Sequence, residues 1–174
     1  MKLSEQMEFP KLELKSVSGE QVLIPDAELF VHLQFRRFTG CPICNTHIGE
    51  LSERINEIKN AGIKEVVFFH SQAEDIQSFQ KDIPLTFVAD PEKKYYREFS
   101  VERSLMYLSL SAMGAAIRGM ARGKISMKMT GGPQGLPAEF LVSPSGEIVA
   151  AKYGKHAYDQ WSVDELLRIV KSKS

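Results

Sequence analysis

Hydrophobic positions recur along this chain with two different periods. A spacing of two, or a continuous apolar run, indicates a strand, whereas a spacing of three and four indicates a helix. The predicted strands are a hairpin over 12–24 around Ser18-Gly19, then 30–38, 63–69, 85–88, and a second hairpin of 138–142 with 147–151. The predicted helices follow residue 41 and cover 73–80, 92–99 and the tail after Ser162. Strands that alternate with helices predict an α/β fold with parallel strands.

The predicted strand 30–38 has two different faces. Apolar residues alternate with polar ones, which places Val31, Leu33 and Phe35 opposite His32, Gln34 and Arg36. Successive side chains in a strand point to opposite faces of the sheet. We therefore expect one buried face and one wetter face.

A continuous helix is predicted after the cysteines. Its apolar stripe has the spacing three, four, three, at Ile48, Leu51, Ile55 and Ile58. Pro42 suits the first helical position, where its missing N–H would have no intrahelical partner. Asn60-Ala61-Gly62 provides the stop signal.

Residues 102–129 interrupt the alternation of strands and helices. Apolar residues there are spaced four, three, four, three, at Met106, Leu110, Met113, Ile117 and Met120. The spacing predicts an inserted helix, although two glycines weaken it. Its apolar seam is interpreted as core, with a dimer face or a cover over the site as the alternative.

The length and charge of the chain narrow the range of functions to consider. The 174 residues suit one domain spanning 1–174, and 22 basic residues balance 22 acidic ones. This balance does not favour nucleic acid or an anionic membrane as a partner. No apolar stretch has the length of a signal peptide core or a membrane span. We expect a cytoplasmic protein, in which cysteines spaced C-x-x-C are redox-active or bind metal.

The candidate chemistry is at Cys41 and Cys44. A predicted strand leads into Cys41 and a helix leaves it, so this cysteine lies at a helix N-terminus. The dipole and the unpaired N–H groups there favour a thiolate, and Arg36 and Arg37 add positive potential. Cys41 is predicted to be the nucleophile, and Cys44, one turn later, is predicted to resolve the sulfenic acid or mixed disulfide.

A zinc site is the main alternative, because His47 extends the motif to C-x-x-C-x-x-H. A structural zinc ion needs four ligands, and the chain has no second cysteine pair. The other histidines, at 32, 70 and 156, are isolated along the chain. We therefore favour redox chemistry over metal binding or inert thiols, and predict no metal and no bound cofactor.

Several segments resemble the peroxiredoxin-like proteins of the alkyl hydroperoxide reductase/thiol-specific antioxidant (AhpC/TSA) group, within the thioredoxin superfamily. They are the N-terminal hairpin, Arg36–Asn45, Ala61–Ser71, Gly135–Val142 and Tyr153–Glu165. The resemblance covers nearly the whole chain apart from 102–129. It implies a thioredoxin-like three-layer sandwich with a central mixed sheet. It also implies antioxidant peroxide reduction by an enzyme that takes electrons from a thiol donor such as thioredoxin.

The resemblance implies roles for residues around the cysteines. Thioredoxin-like proteins carry a cis-proline before the strand that faces the C-x-x-C helix, and Pro137 matches that position. A trans proline that starts an edge strand is the alternative. Thr39, Pro42 and Arg37, together with Pro137, are the residues expected to bind the substrate or activate the thiols.

The chain also departs from the peroxiredoxin pattern. That pattern places a threonine or serine three residues before the peroxidatic cysteine, and a proline four residues before that. Counted from Cys44 these positions hold Cys41 and Arg37, and counted from Cys41 they hold Phe38 and Gln34. Three functions stay open: peroxide reduction, protein disulfide reduction, and a redox-sensing or binding module that kept the fold. A homodimer is a possible assembly, and the family's second arginine has candidates in Arg118 and Arg122.

Overall fold

The computed structural model describes residues 1–80, 82–101 and 135–173. The strands are β1 (Leu12–Lys15), β2 (Gln21–Ile24), β3 (Phe30–Phe35), β4 (Ile63–Phe69), β5 (Thr86–Ala89), β6 (Ala138–Val142) and β7 (Ile148–Tyr153). The helices are α1 (Pro42–Glu53), α2 (Ile55–Asn60), α3 (Ala73–Gln80), α4 (Lys94–Glu98) and α5 (Val163–Lys171). These bounds agree with the predicted elements to within a few residues.

Five strands form a mixed sheet in the order β5-β4-β3-β6-β7. Strands β3, β4 and β5 are parallel, β6 is antiparallel to β3, and β7 is antiparallel to β6. Strands β1 and β2 pair separately as an antiparallel hairpin. The predicted mixed central sheet and N-terminal hairpin are both confirmed.

The sheet lies between two layers. The hairpin and α4 cover one face with apolar side chains that include Leu14, Val22, Ile24, Tyr96 and Phe99. The other face packs against α1, α2, α3 and α5 through residues that include Ile48, Ile58, Ile76 and Leu166. Each helix buries one apolar stripe in this way. The three-layer α/β sandwich is therefore confirmed.

The prediction that one face of β3 is more exposed to solvent is wrong. His32 and Gln34 are fully buried, and Arg36 just after the strand is 1% exposed. The predicted alternation is real, but α1 and the segment before α5 cover the polar side. Because the sheet is covered on both faces, its polar positions can only be paired with one another.

The helix after the cysteines is not continuous. The backbone leaves the helical region at Arg54, where φ is −111° and ψ is 20°, and α2 begins at the next residue. The Arg54 guanidinium bonds Glu57 and reaches Asp164 of α5 at 2.8 Å. The apolar stripe continues across the break, which is why the hydrophobic spacing does not reveal it.

The predicted insertion at 102–129 lies outside the described residues, as do Arg118 and Arg122. Within the described ranges, no helix is both long and apolar enough to cross a bilayer. The capping box before α5 is confirmed, since Ser162 and Glu165 each bond the other's backbone N–H.

Gly154 directly follows β7 and lies against Pro137. Its N–H donates to the Pro137 carbonyl at 2.8 Å. A Cβ at this position would lie 2.7 Å from Pro137 Cγ and 2.9 Å from the Asp159 carbonyl oxygen. These distances are shorter than contacts between unbonded atoms, and part of the obstruction is backbone that cannot swing away.

We therefore expect Gly154→Ala to lower the free energy of unfolding by about 1–3 kcal/mol, the usual cost of overpacking. Urea denaturation followed by circular dichroism measures it. Lys155→Ala is the matched control, because that side chain is exposed, and it should change stability by less than about 0.5 kcal/mol. Equal effects in the two variants would contradict the steric explanation.

Candidate active site

The segment between β3 and α1 carries the cysteines to the carboxyl end of the parallel strands. Arg36 N–H donates to the Phe68 carbonyl at 2.9 Å, and His70 N–H donates to the Arg37 carbonyl at 3.2 Å. The backbone N–H of Thr39 is fixed by Ser71 Oγ at 3.0 Å. These bonds extend the pairing of β3 with β4, so the approach to Cys41 is held by the sheet.

Cys41 caps the N-terminus of α1, and Pro42 occupies the first helical turn. The Cys41 backbone is extended, and its Sγ accepts the Cys44 N–H at 3.5 Å. Both sulfurs are buried, with Cys41 0% and Cys44 3% exposed, and both are free thiols. The structure therefore brings the two predicted catalytic residues together at a helix N-terminus.

Arg37 is the cation of the site. Its Nη2 donates to Cys41 Sγ at 2.8 Å. The Arg37 charge and a hydrogen bond from the Arg37 backbone also lower the pKa of the Cys44 thiol. The side chain is buried, and Gly135 lies next to it, since a Cβ at Gly135 would lie 3.6 Å from Arg37 Cγ. A single buried positive charge thus stabilises negative charge on the pair of sulfurs.

The two thiols ionise in separate steps. The pKa of Cys44 is lowered to about 6, first by a hydrogen bond from the Cys41 thiol and then by the charge of Arg37, although burial opposes the shift. The pKa of Cys41 is raised well above its ordinary value, first by burial and then by the hydrogen bond to Cys44. Near neutral pH the pair therefore shares one proton and one negative charge.

This order of ionisation differs from the one predicted, in which the helix N-terminus favoured a thiolate on Cys41. The physical reason is that burial opposes a charge on Cys41, whose thiol instead hydrogen-bonds the Cys44 sulfur and stabilises the thiolate there. Reactivity also depends on access to the sulfur. Which cysteine attacks first stays a prediction.

Pro137 lies where the sequence predicted, but not in the predicted form. The Leu136–Pro137 bond is trans, and the cis peptide bond in the described part of the chain is Ile24–Pro25. The Pro137 carbonyl pairs with Gly154 in the antiparallel ladder, so the residue simply begins β6 without donating an N–H. This role needs no cis bond, and the cis prediction is wrong.

Sequence reasoning missed a buried polar network behind the site. Arg36 Nη2 donates to Glu139 Oε1 at 2.7 Å and to His47 Nδ1 at 2.9 Å, and it also bonds the Gln34 amide. His32 joins Glu65 at 2.8 Å at the other end. The alternate polar positions of β3 were the available signal, and they were interpreted as a solvated face.

His47 takes part in this network rather than in a metal site. Arginine has no acceptor, so Nδ1 of His47 accepts from Arg36, and Nε2 donates to the Trp161 carbonyl at 2.8 Å. Burial and the Arg36 charge lower the pKa of His47 to about 3. With both ring nitrogens engaged, this imidazole is not arranged to join the cysteines around zinc.

A cavity of about 640 Å³ lies between α2, α3 and the amino ends of β4 and β5. Its lining includes Ile55, Ile76, Leu85 and Glu65, but neither cysteine. The size is ordinary for a small-molecule pocket. Since it holds neither thiol, we place the candidate active site at the cysteines.

Comparison by sequence identifies one family. A family profile described as "AhpC/TSA antioxidant enzyme" matches residues 50–156, which is more than half of the chain. The match begins after the two cysteines and therefore does not itself assign their role. No protein of curated function matches the chain by sequence.

Solved structures share the fold at low sequence identity. Peroxidoxin BcpB from Mycobacterium tuberculosis has a TM-score of 0.73 and 12% identity, with 99% of each chain covered. Peroxiredoxin Q from Xanthomonas campestris has a TM-score of 0.66 and 20% identity, with 92% of this chain and 90% of that one covered. A putative thiol:disulfide interchange protein DsbE from Chlorobium tepidum has a TM-score of 0.63 and 17% identity, with 97% and 99% covered. These likenesses show a thioredoxin-like fold.

The contact of Arg37 with the sulfurs gives a direct prediction. Arg37→Gln removes the cation that stabilises the thiolate, so the first thiol pKa should rise by about one unit or more. At pH 5, below the Cys44 pKa of about 6, the rate of alkylation by iodoacetamide should then fall roughly tenfold, because one pKa unit is a factor of ten in the ionisation equilibrium.

Ultraviolet absorbance of the thiolate against pH gives the pKa, and the alkylation rate gives the reactivity. The control is Arg54→Gln, which removes a partly exposed arginine at the break between α1 and α2. It should leave both measurements unchanged. A titration of the Arg37→Gln thiols that is unchanged from the wild type would show that the arginine does not control the pair.

Proposed function

The chain belongs to the AhpC/TSA antioxidant enzyme family, a group of thiol oxidoreductases, and we propose that it reduces a peroxide with Cys41 and Cys44. The observation that carries the proposal is the 2.8 Å contact of Arg37 with Cys41 Sγ at the N-terminus of α1. A cation held on a pair of adjacent thiols stabilises the thiolate, which is the form that attacks peroxide.

The proposed reaction balances with these two residues and a reductant. One thiolate attacks the outer peroxide oxygen, the O–O bond breaks, and the alkoxide leaves as an alcohol after taking a proton. The attacking sulfur becomes a sulfenic acid, and the other cysteine displaces water from it to form the Cys41–Cys44 disulfide. A donor dithiol then returns two electrons and two protons by thiol–disulfide exchange.

Residues next to the pair have proposed roles in binding the peroxide. Arg37 would stabilise the negative charge that develops on the leaving oxygen. The Thr39 hydroxyl is buried and has no hydrogen-bond partner among the described residues, so it can bond a peroxide. Pro42 starts the helix, and Pro137 fixes the segment that packs beside Arg37. In this way the four residues would shape the substrate side.

The electron donor is proposed to be a small dithiol protein such as thioredoxin. The exchange requires a donor that can reach Cys41 or Cys44, and a reducing compartment supplies one. Cytoplasmic location and a homodimer both stay predictions from the sequence.

A disulfide reductase is the second candidate. The observation in its favour is the dithiol itself, in which Cys41 Sγ accepts the Cys44 N–H at 3.5 Å. A protein with the printed name thiol:disulfide interchange protein also shares the fold. Against it, the trans Leu136–Pro137 bond removes the feature that had suggested an exchanger.

We expect the purified protein to consume hydrogen peroxide when thioredoxin, thioredoxin reductase and NADPH are supplied. Cys41→Ser and Cys44→Ser should each lower this turnover at least about a hundredfold, because the cycle needs both sulfurs. A dimedone adduct should form in the variant that keeps the attacking cysteine, which identifies it. Intact mass after one equivalent of peroxide should show the loss of two hydrogens in the wild type.

Reduction of insulin in the same coupled system tests the second candidate. Ser172→Ala, a substitution at the exposed end of α5, is the control for both assays and should behave as the wild type. Turnover of insulin without peroxide turnover would replace the first candidate by the second. Peroxide turnover that survives in both cysteine variants would contradict the proposed site.

A further inference from the structure

Arg36 is a cation buried in the centre of the fold. Its Nη2 has three acceptors, on Gln34 of β3, His47 of α1 and Glu139 of β6. The side chain of Glu139 is 1% exposed and that of Arg36 is 0% exposed. In such surroundings charges interact more strongly than at the surface, so this ion pair affects groups a few ångströms away.

The thiols lie within reach of this pair. His47 follows Cys44 by three residues on α1, and residues with this spacing lie on the same helix face. Arg36 directly precedes Arg37, and its charge favours the thiolate of Cys44. The titratable and charged groups that interact electrostatically with Cys44 are Cys41 at the N-cap of α1, Arg36 and Arg37 after β3, and the Tyr96 hydroxyl on α4.

Glu139 holds Arg36 in this position with a fully engaged carboxylate. Oε1 accepts from Arg36 at 2.7 Å, and Oε2 accepts from Trp161 N–H at 2.6 Å. Burial opposes the charge, but Arg36 and the hydrogen bond from the Trp161 N–H together hold the pKa of Glu139 below its ordinary value. Glu139 is thus an anion that both fixes and offsets the cation behind the thiols.

We propose that Glu139 is a positioning residue that sets the redox potential of the Cys41–Cys44 pair by fixing and partly neutralising Arg36. The inference rests on the proposed function, because it assumes that the pair cycles between dithiol and disulfide. The disulfide takes two electrons to give one thiolate and one thiol, with one proton taken up. Any charge that stabilises the thiolate therefore stabilises the reduced state.

The sign of the effect follows from the charges. Glu139→Gln removes a negative charge while Arg36 stays positive, so the thiolate becomes more stable. The reduced pair is favoured and the couple becomes more oxidising. We expect a shift of about tenfold in the dithiol–disulfide equilibrium, which is about 30 mV for a two-electron couple, together with faster alkylation below pH 7.

Glu65→Gln is the matched control. Glu65 is equally buried and belongs to the same network, but it bonds His32 and Gln34 and does not contact Arg36. It should lower stability much as Glu139→Gln does, yet change the equilibrium less than twofold. Glu139→Asp keeps the charge and should also stay within about twofold of the wild type.

The experiment equilibrates each purified protein in mixtures of reduced and oxidised glutathione and measures the fraction of disulfide by mass after acid quenching. Thiolate absorbance against pH is the second measurement. A tenfold shift in Glu139→Gln, with little shift in Glu65→Gln, supports the proposal. No shift in a folded Glu139→Gln protein, or an equal shift in both variants, overturns it.

If Glu139→Gln does not fold, the double variant Arg36→Met with Glu139→Leu takes its place, since apolar pairs of similar volume often substitute for buried ion pairs. Loss of the cation should then raise the thiol pKa and make the couple more reducing, and unchanged values would overturn the proposal. A wild-type protein that forms no Cys41–Cys44 disulfide would instead refute the proposed function.

Discussion

The structure depends on two adjacent arginines at the end of β3, in a place where water does not reach. Arg36 enters the polar layer between the sheet and α1, where it bonds His47, whereas Arg37 bonds the Cys41 sulfur. Each buried cation needs partners, because an unpaired buried charge costs several kcal/mol. The partners of the two arginines come from β3, β6 and α1.

The partners of Arg36 connect the cysteine-bearing helix to the central sheet. Glu139 stands opposite Gln34 in the β3–β6 ladder, and it also holds the backbone of Trp161 just before α5. His47 anchors α1 to the same point through Arg36. The orientation of the cysteine-bearing helix is thus fixed by hydrogen bonds of defined direction, in addition to apolar packing. Precise placement matters for a pair of thiols that share one proton.

Much of the fold could be predicted from the sequence, because hydrophobic spacing and short-range signals determine where the strands and helices lie. The strands, the capping box at Ser162 and the N-terminal place of Pro42 all depend on neighbours within a few residues. The break at Arg54 could not be predicted, since the apolar stripe continues across it. The cis form of Pro137 was carried over from a resemblance, and the contact with Gly154 shows that a trans bond suits this strand.

The site could be predicted in its residues but not in its electrostatics. The spacing of Cys41 and Cys44 and the nearby Arg37 placed the thiols together. Alternation on β3 showed that His32, Gln34 and Arg36 share a face, but it does not say whether water or another side chain covers that face. The carboxylate that pairs with Arg36 belongs to Glu139, more than a hundred residues away along the chain. The hydrophobic pattern of the strand that contains Glu139 does not indicate which residue this side chain pairs with.

Because the two thiols share one proton, they can act one after the other in the two steps of the proposed reaction. The first step needs a thiolate at neutral pH, and Arg37 supplies the stabilisation for one of the two sulfurs. The alkoxide that leaves needs a proton, and the second thiol still holds one. Once that proton is given up, the second sulfur is itself a thiolate and can attack the sulfenic acid. The pair that resists double ionisation in the resting state therefore becomes reactive in sequence, and the arginine beneath it need not move between the steps.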